Sequence, residues 1–165
     1  MDRVEAFNSL PADDLLAVCA APSFAATVAA GRPYASRQEI VAAADAALRG
    51  LGWSDVLAAL STHPRIGERA AGTSREAAWS RREQSTAAAD PDEATTAALV
   101  EVNRAYEEKF GHVFLIFASG RTRAQILAAA RERLGNDEET ERPIVAGELR
   151  RIALLRLERV LDELG

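Results

Sequence analysis

The sequence predicts an all-α protein, and three observations carry that prediction. Alanine is used heavily while aromatic residues make up only 5% of the chain, a balance that favours helices over a β-sandwich. Helix-start signatures recur along the sequence. Between them apolar residues fall at helical rather than alternating spacing. At 165 residues and 48% apolar, the chain is long enough for a sizeable core. The expected architecture is a single domain, residues 1–165: a helical bundle of about seven to nine helices with one short extended segment.

From the N-terminus, Phe7-Asn8-Ser9-Leu10-Pro11 opens a first helix that carries Leu15, Leu16 and Cys19, and Pro22 ends that pattern. Phe24 to Ala30 makes a further short helix, and Gly31-Arg32-Pro33-Tyr34 is a turn. Ser36-Arg37-Gln38-Glu39 is a capping-box pattern for a helix through Ile40, Ala44 and Leu48 to Gly50. Ser54 is the expected N-cap of a helix from Asp55 to Leu60. Glu68 to Gly72 reads as a loop, and Thr73-Ser74-Arg75-Glu76 as a second capping box opening a helix with Trp79, Ser80, Glu83 and Gln84. Asp90-Pro91-Asp92-Glu93 places a cap, a proline at the first position and acids in the first turn. Leu99, Val102, Tyr106 and Phe110 mark the buried face of that helix, and Gly111 suits its C′ position. Val113 to Ala118 is an apolar run without helical period, hence a buried extended segment. No other clear strand offers its backbone partners; a cyclic amide ligand, other protein backbone or helix continuation are the alternatives. Thr122-Arg123-Ala124-Gln125 caps a helix to Leu134. Asn136-Asp137-Glu138-Glu139 caps the last and longest, where Pro143 marks either a kink or the true start.

Composition narrows the function classes. A net charge of -5 gives no electrostatic case for nucleic acid or an anionic membrane. Arg81-Arg82 and Arg150-Arg151 are local pairs beside glutamates and read as solvated faces. Cys19 is the single cysteine, so no internal disulfide forms and a Cys-based metal site is disfavoured; its context reads as a buried small hydrophobe. No run reaches the ~18 apolar residues of a membrane span, and the N-terminus lacks a signal-peptide core. A cytoplasmic location is the default expectation.

Three features invite chemistry. His63, in Thr62-His63-Pro64-Arg65, stands where a helical pattern stops, with Pro64 holding the next residues out of the α region. It reads as an acid/base near neutrality or as a helix-end histidine bonded to a carbonyl. Ser80, Glu83 and Gln84 share one helix face, suited to a polar ligand or to solvent. Arg156 interrupts the stripe Val145, Leu149, Ile152, Val160, so it needs a partner: an internal ion pair, a snorkelling position, or a carboxylate or carbonyl of a ligand.

Taken together these pieces resemble the 2-oxo-4-hydroxy-4-carboxy-5-ureidoimidazoline (OHCU) decarboxylases of urate breakdown. The resemblance runs through Phe7-Asn8-Ser9-Leu10, His63-Pro64, Ser80-Arg81-Arg82-Glu83-Gln84, Leu99 to Asn103, Tyr106 to Gly111, Phe114 to Ala118, Arg133-Leu134-Gly135-Asn136 and Arg156-Leu157. It implies an all-helical fold with neither metal nor organic cofactor, loss of CO₂ from the ureidoimidazoline, and protonation on one face to give (S)-allantoin. It also implies roles: His63 as acid/base, Glu83 holding or polarising the substrate, and Arg156 clamping the carboxylate or developing oxyanion. Pro64 would pack against the ring. Ser80, Arg81, Arg82 and Gln84, with the segment Phe114, Leu115, Ile116, Phe117 and Ala118, would bind the substrate. Arg121 is the second choice for the arginine role. A homodimer is implied, with Leu154, Leu157 and Leu161 suited to its interface. The chain departs from the family pattern at Arg65-Ile66-Gly67, where Asp-Leu-Ala is common, and at Pro143. As the sequence ends at Gly165, a fused transthyretin-like hydrolase domain is not expected. Two other classes stay open: a metal-dependent hydrolase using His63, His112 and Glu83, and a helical interaction module in which His63, Glu83 and Arg156 tolerate substitution.

Overall fold

The computed structural model describes residues 2–66, 75–85 and 92–164. Among them there is no strand. In order come α1 (Arg3–Asn8), a 3₁₀ helix (Ala12–Ala17), α2 (Pro22–Ala30), α3 (Arg37–Arg49), α4 (Trp53–Leu60), α5 (Arg75–Glu83), α6 (Glu93–Phe110), α7 (Arg123–Leu134) and α8 (Glu138–Glu163). The all-helical class and the expected number of helices therefore hold. The chain forms two compact units, Met1–Ala59 with Leu149–Gly165, and Leu60–Glu148.

In the first unit, Asp2 and Glu5 form a capping box around α1. The single helix expected from Phe7 through Cys19 is two pieces, because Asp2 starts one early and Pro11 precedes a separate 3₁₀ helix. Pro22 opens α2 instead of ending a helix: its fixed φ and missing N–H suit the first helical position. Ser36 accepts from the Glu39 amide at 3.1 Å. The Glu39 carboxylate, however, takes the Ala35 amide at 2.9 Å, so the box is only half formed. α4 begins at Trp53, two residues before the expected Asp55, because the Asp55 carboxylate takes the Gly52 amide.

The turn after α2 is tied down by side chains. Asn8 and Tyr34 exchange two hydrogen bonds, 2.9 and 2.8 Å. The Tyr34 hydroxyl donates to the Val28 carbonyl at 2.7 Å and lies where a Cβ on Gly31 would collide. Arg32 donates to the carbonyls of Phe7, Leu10 and Ala29. Phe7, Phe24, Ile40, Leu157, Val160 and Leu161 are fully buried. Leu157 and Leu161 thus serve the interior, which corrects their expected place in a dimer interface; Leu154 is half-buried. Cys19 is buried as expected. On the outer side, Arg37 donates to Glu158 and Asp162, and Arg150 to Asp45 at 2.7 Å.

In the second unit, α6 packs on α7 around Leu99, Val102, Tyr106, Phe114, Ile116 and Ile126. The described N-cap of α6 is Asp92, whose carboxylate takes the Ala94 and Thr95 amides; the expected start at Asp90-Pro91 lies outside the described residues, as do the loop at 68–72 and the cap at Thr73-Ser74. Thr122 and Gln125 form the full capping box of α7. Lys109 donates to the carbonyls of Leu134 and Asn136, both at 2.7 Å, capping the end of α7 from α6. Asp137 caps α8 through the Thr140 amide at 2.8 Å. Pro143 lies inside that helix, so it does not mark its start.

Two of these contacts set measurable stabilities. Arg150 first, then Arg49, hold the Asp45 carboxyl below its ordinary range by hydrogen bonding. A depressed folded pKa stabilises the fold above the unfolded pKa of about 3.9, and that stabilisation is lost as pH falls through the folded pKa. Asp45→Asn should therefore be less stable than wild type at neutral pH and show a shallower loss of stability on acidification, measured by urea denaturation across pH. Gly111 ends α6 at φ 78, and an added Cβ would meet nothing within 4 Å. Gly111→Ala should therefore cost about 1 kcal/mol through backbone strain alone; an unchanged denaturation midpoint would contradict the left-handed cap.

Candidate active site

The His63 turn forms because α4 stops at Leu60 and α6 holds residues 65 and 66. The His63 amide donates to the Leu60 carbonyl at 3.0 Å, and Pro64 prevents the helix continuing. Ile66 enters the core, where Asn103 donates to its carbonyl at 2.9 Å. Arg65 forks onto Glu107, Nε to Oε1 at 2.6 Å and Nη2 to Oε2 at 3.1 Å. Asn103 and Glu107 are four residues apart on α6, so both tethers come from one helix face. A cavity of about 450 Å³ opens here, lined by Leu60, Ser61, His63, Pro64, Arg65, Glu107, Gly111, His112 and Val113.

Both histidines of the sequence line that cavity. His112 Nδ1 lies 3.1 Å from the Val113 carbonyl, a contact that in the neutral ring favours the proton on Nδ1. Its ring meets Tyr106 edge-on, centroids 5.6 Å apart. Among the described residues, no group of three or more His, Cys, Asp and Glu is placed to hold a metal ion; His63, His112 and Glu83 do not form such a group.

On α5, Ser80 and Glu83 are buried at 4% and 7% exposure, one turn apart on a shared face. Gln84 comes just after the helix, half-buried, its amide donating to the Ser80 carbonyl at 3.1 Å. Arg81 is half-buried and Arg82 exposed, so the solvated reading fits Arg82 better than Arg81. Burying a serine and a glutamate on a helix that also buries Trp79 is costly in an apolar core unless those polar groups are partnered.

The segment 113–118 is neither helix nor strand among the described residues. Its partners are side chains. Arg133 Nη1 donates to the Leu115 carbonyl at 2.7 Å, and the Phe117 amide donates to Glu148 at 3.4 Å. Arg133 is in turn bonded to Glu141, Nε to Oε1 at 2.5 Å. Phe114, Leu115, Ile116 and Ala118 are buried; Phe117 is half-buried. Tyr106 packs edge-on against Phe114, centroids 5.2 Å apart, and burial pushes its phenol pKa well up, against the pull of the Arg133 charge.

Arg156 belongs to the first unit and is 3% exposed. Its charge reaches Cys19, partly offsetting the burial that raises the thiol pKa. Arg121, the second choice, is half-buried after the Ser119-Gly120 turn.

The sequence reading missed Asn103, Glu107, Arg133, Glu141 and Glu148 as builders of the site. A signal existed for Arg133. Ile126, Ala130 and Arg133 fall at i, i+4 and i+7, the same interruption of an apolar stripe that singled out Arg156.

Comparison with known proteins matches these features to one family. The OHCU decarboxylase family model matches residues 8–158. The chain is 34% identical over 154 residues to the Arabidopsis thaliana uric acid degradation bifunctional protein TTL, covering 92% of this chain and 47% of that protein. It therefore spans about half the length of that relative. It is 31% identical over 142 residues to an Amia calva 2-oxo-4-hydroxy-4-carboxy-5-ureidoimidazoline decarboxylase, covering 86% of this chain and 81% of that one. A crystal structure of an OHCU decarboxylase in the presence of (S)-allantoin superposes with a TM-score of 0.77 at 32% identity, over 91% of this chain and 98% of the other. An (S)-allantoin synthase structure at 19% identity and TM-score 0.68, covering 95% of this chain and 53% of its own, shares the fold. With the match running from the first helix to the last and across the His63 turn, the α5 face and the extended segment, the chain belongs to the OHCU decarboxylase family.

Proposed function

We propose that this chain decarboxylates 2-oxo-4-hydroxy-4-carboxy-5-ureidoimidazoline to (S)-allantoin in urate degradation, using neither metal nor organic cofactor. The observation that carries the reading is the near-complete mutual coverage with an OHCU decarboxylase crystallised in the presence of (S)-allantoin. The family match spans both compact units, which supports residues 1–165 acting as one functional domain.

The chemistry assigns work to each residue. The bond from the ring carbon to its carboxylate breaks, CO₂ leaves, and the electron pair passes into the neighbouring ring C=N. The hydroxyl on the same carbon gives up its proton to become a carbonyl, the ring nitrogen that received the electron pair takes a proton from solvent, and the ureido-bearing carbon gains a proton on one face. His63, lining the cavity at the end of α4, is the acid/base that moves these protons. Glu83 orients the substrate hydroxyl and its acid/base partner. Arg156 stabilises the developing oxyanion, and accelerates the reaction only if it binds that charge more strongly than the starting carboxylate. Pro64 packs on the ring. Ser80 and Gln84 bond the ureido arm, with Arg81 and Arg82 at its outer side, and the backbone of Phe114 to Ala118 meets the ring amide groups.

No helix among the described residues is long and apolar enough to cross a membrane, and the net charge of -5 disfavours nucleic acid. The proposed enzyme is a cytoplasmic homodimer acting on a small molecule.

The test generates the unstable substrate fresh from urate with urate oxidase and the upstream hydrolase, and follows optically active allantoin by circular dichroism. Wild type should form (S)-allantoin fast and without sensitivity to chelator, and His63→Ala should lose about a hundredfold or more in kcat/KM. Wild type no faster than the spontaneous, racemic reaction would overturn the reading and favour a helical interaction module.

A further inference from the structure

We propose that Arg133, held by Glu141, is a positioning residue that sets which edge of the 113–118 segment faces the substrate. The proposal rests on the reading that this segment's backbone meets the ring amides. In extended backbone the N–H and C=O of one residue point to one edge, and those of the next residue to the other. The two tethers of the segment fall on odd residues: Leu115 through its carbonyl to Arg133, and Phe117 through its amide to Glu148. With the segment read as extended, one edge is turned to the side chains of α7 and α8. On that reading the peptide groups of Phe114 and Ile116 belong to the opposite edge. Among the described residues, none hydrogen-bonds to the N–H or C=O of Ile116, which together present a donor beside an acceptor.

The chemistry of the tether argues for positioning over stability. Arg133 is 6% exposed and Glu141 1%, so both charges are desolvated. A buried ion pair of this kind is commonly matched or exceeded in stability by apolar residues of similar volume. What the pair supplies is direction. Nε is committed to Glu141 and Nη1 to Leu115, and the guanidinium plane lies over the Phe114 ring, 4.6 Å from its centroid. A planar fork fixed at three places holds the carbonyl in one orientation, which a lysine, with a single nitrogen, does not reproduce. A one-residue change of register would exchange the two edges and present the Leu115 and Phe117 groups instead.

The experiment compares wild type with the apolar double variant Arg133→Met/Glu141→Leu and with Arg133→Lys. Thermal unfolding, amide hydrogen exchange over residues 113–118 and steady-state decarboxylation are measured on each. The double variant should unfold within a few degrees of wild type, exchange faster in this segment, and raise KM about tenfold while kcat changes much less, as expected for lost binding geometry. Arg133→Lys should fall between the two. If the double variant fails to fold, a raised KM and faster exchange in Arg133→Lys, each smaller than about tenfold, decide the question. A folded variant with wild-type KM and wild-type exchange in the segment overturns the proposal. Wild type without activity above the spontaneous rate would instead sink the decarboxylase reading, while the exchange measurement still decides whether Arg133 holds the segment.

Discussion

A buried non-helical segment in an all-helical protein has to find hydrogen-bond partners without a neighbouring strand, and the second unit is arranged around that constraint. Helices satisfy their own backbone, so they offer only side chains. Residues 113–118 take Arg133 from α7 and Glu148 from α8. Ile66, after the His63 turn, takes Asn103 from α6. Each tether reaches from a rigid helix to irregular backbone that must enter the core. The side-chain ladder replaces a β-ladder.

The two units handle charge differently. Of the buried polar and charged residues, Ser80, Glu83, Asn103, Arg133 and Glu141 belong to the second unit, and Arg156 to the first. The first unit otherwise places its ion pairs at the surface, as with Arg37 on Glu158 and Asp162, where such pairs contribute little to stability. Burying charge is unfavourable for folding unless the geometry it fixes is needed. Among the described residues, the second unit therefore holds most of the desolvated polar groups.

Most of the fold was legible because it depends on local signals. Ser36, Thr122 and Gly111 act as caps at the positions their residue types dictate, and the extended segment showed as an apolar run without period. Element starts were less legible. Asp92 and Asp55 each compete with a neighbour for the capping role, and local spacing does not rank the competitors. Pro22 carries the same steric fact at a helix start as at a helix end. For the site, His63 and Arg156 stood out because each broke a pattern. Arg133 breaks the stripe of α7 in the same way, but two of its stripe neighbours are small or distant, so the interruption is faint. Its partner Glu141 lies eight residues away on another helix, and the contact to Leu115 spans 18 residues; pairings of that range are set by tertiary packing, not by spacing.

A peptide edge is well matched to the demands of the proposed reaction. Decarboxylation is accelerated only by interactions stronger in the transition state than in the ground state, so clamping the starting carboxylate with many charges would be counterproductive. Choosing the face of protonation, by contrast, requires the ring to be held in one orientation throughout. Neutral backbone donors and acceptors can do this without favouring the carboxylate, and they lose little conformational entropy on binding if they are fixed beforehand. In this chain the fixing is done by a charged pair placed behind the segment, where Arg133 and Glu141 neutralise one another. Under the proposed mechanism, charge is thus kept for Arg156, and recognition is left to peptide groups whose direction the buried pair would dictate.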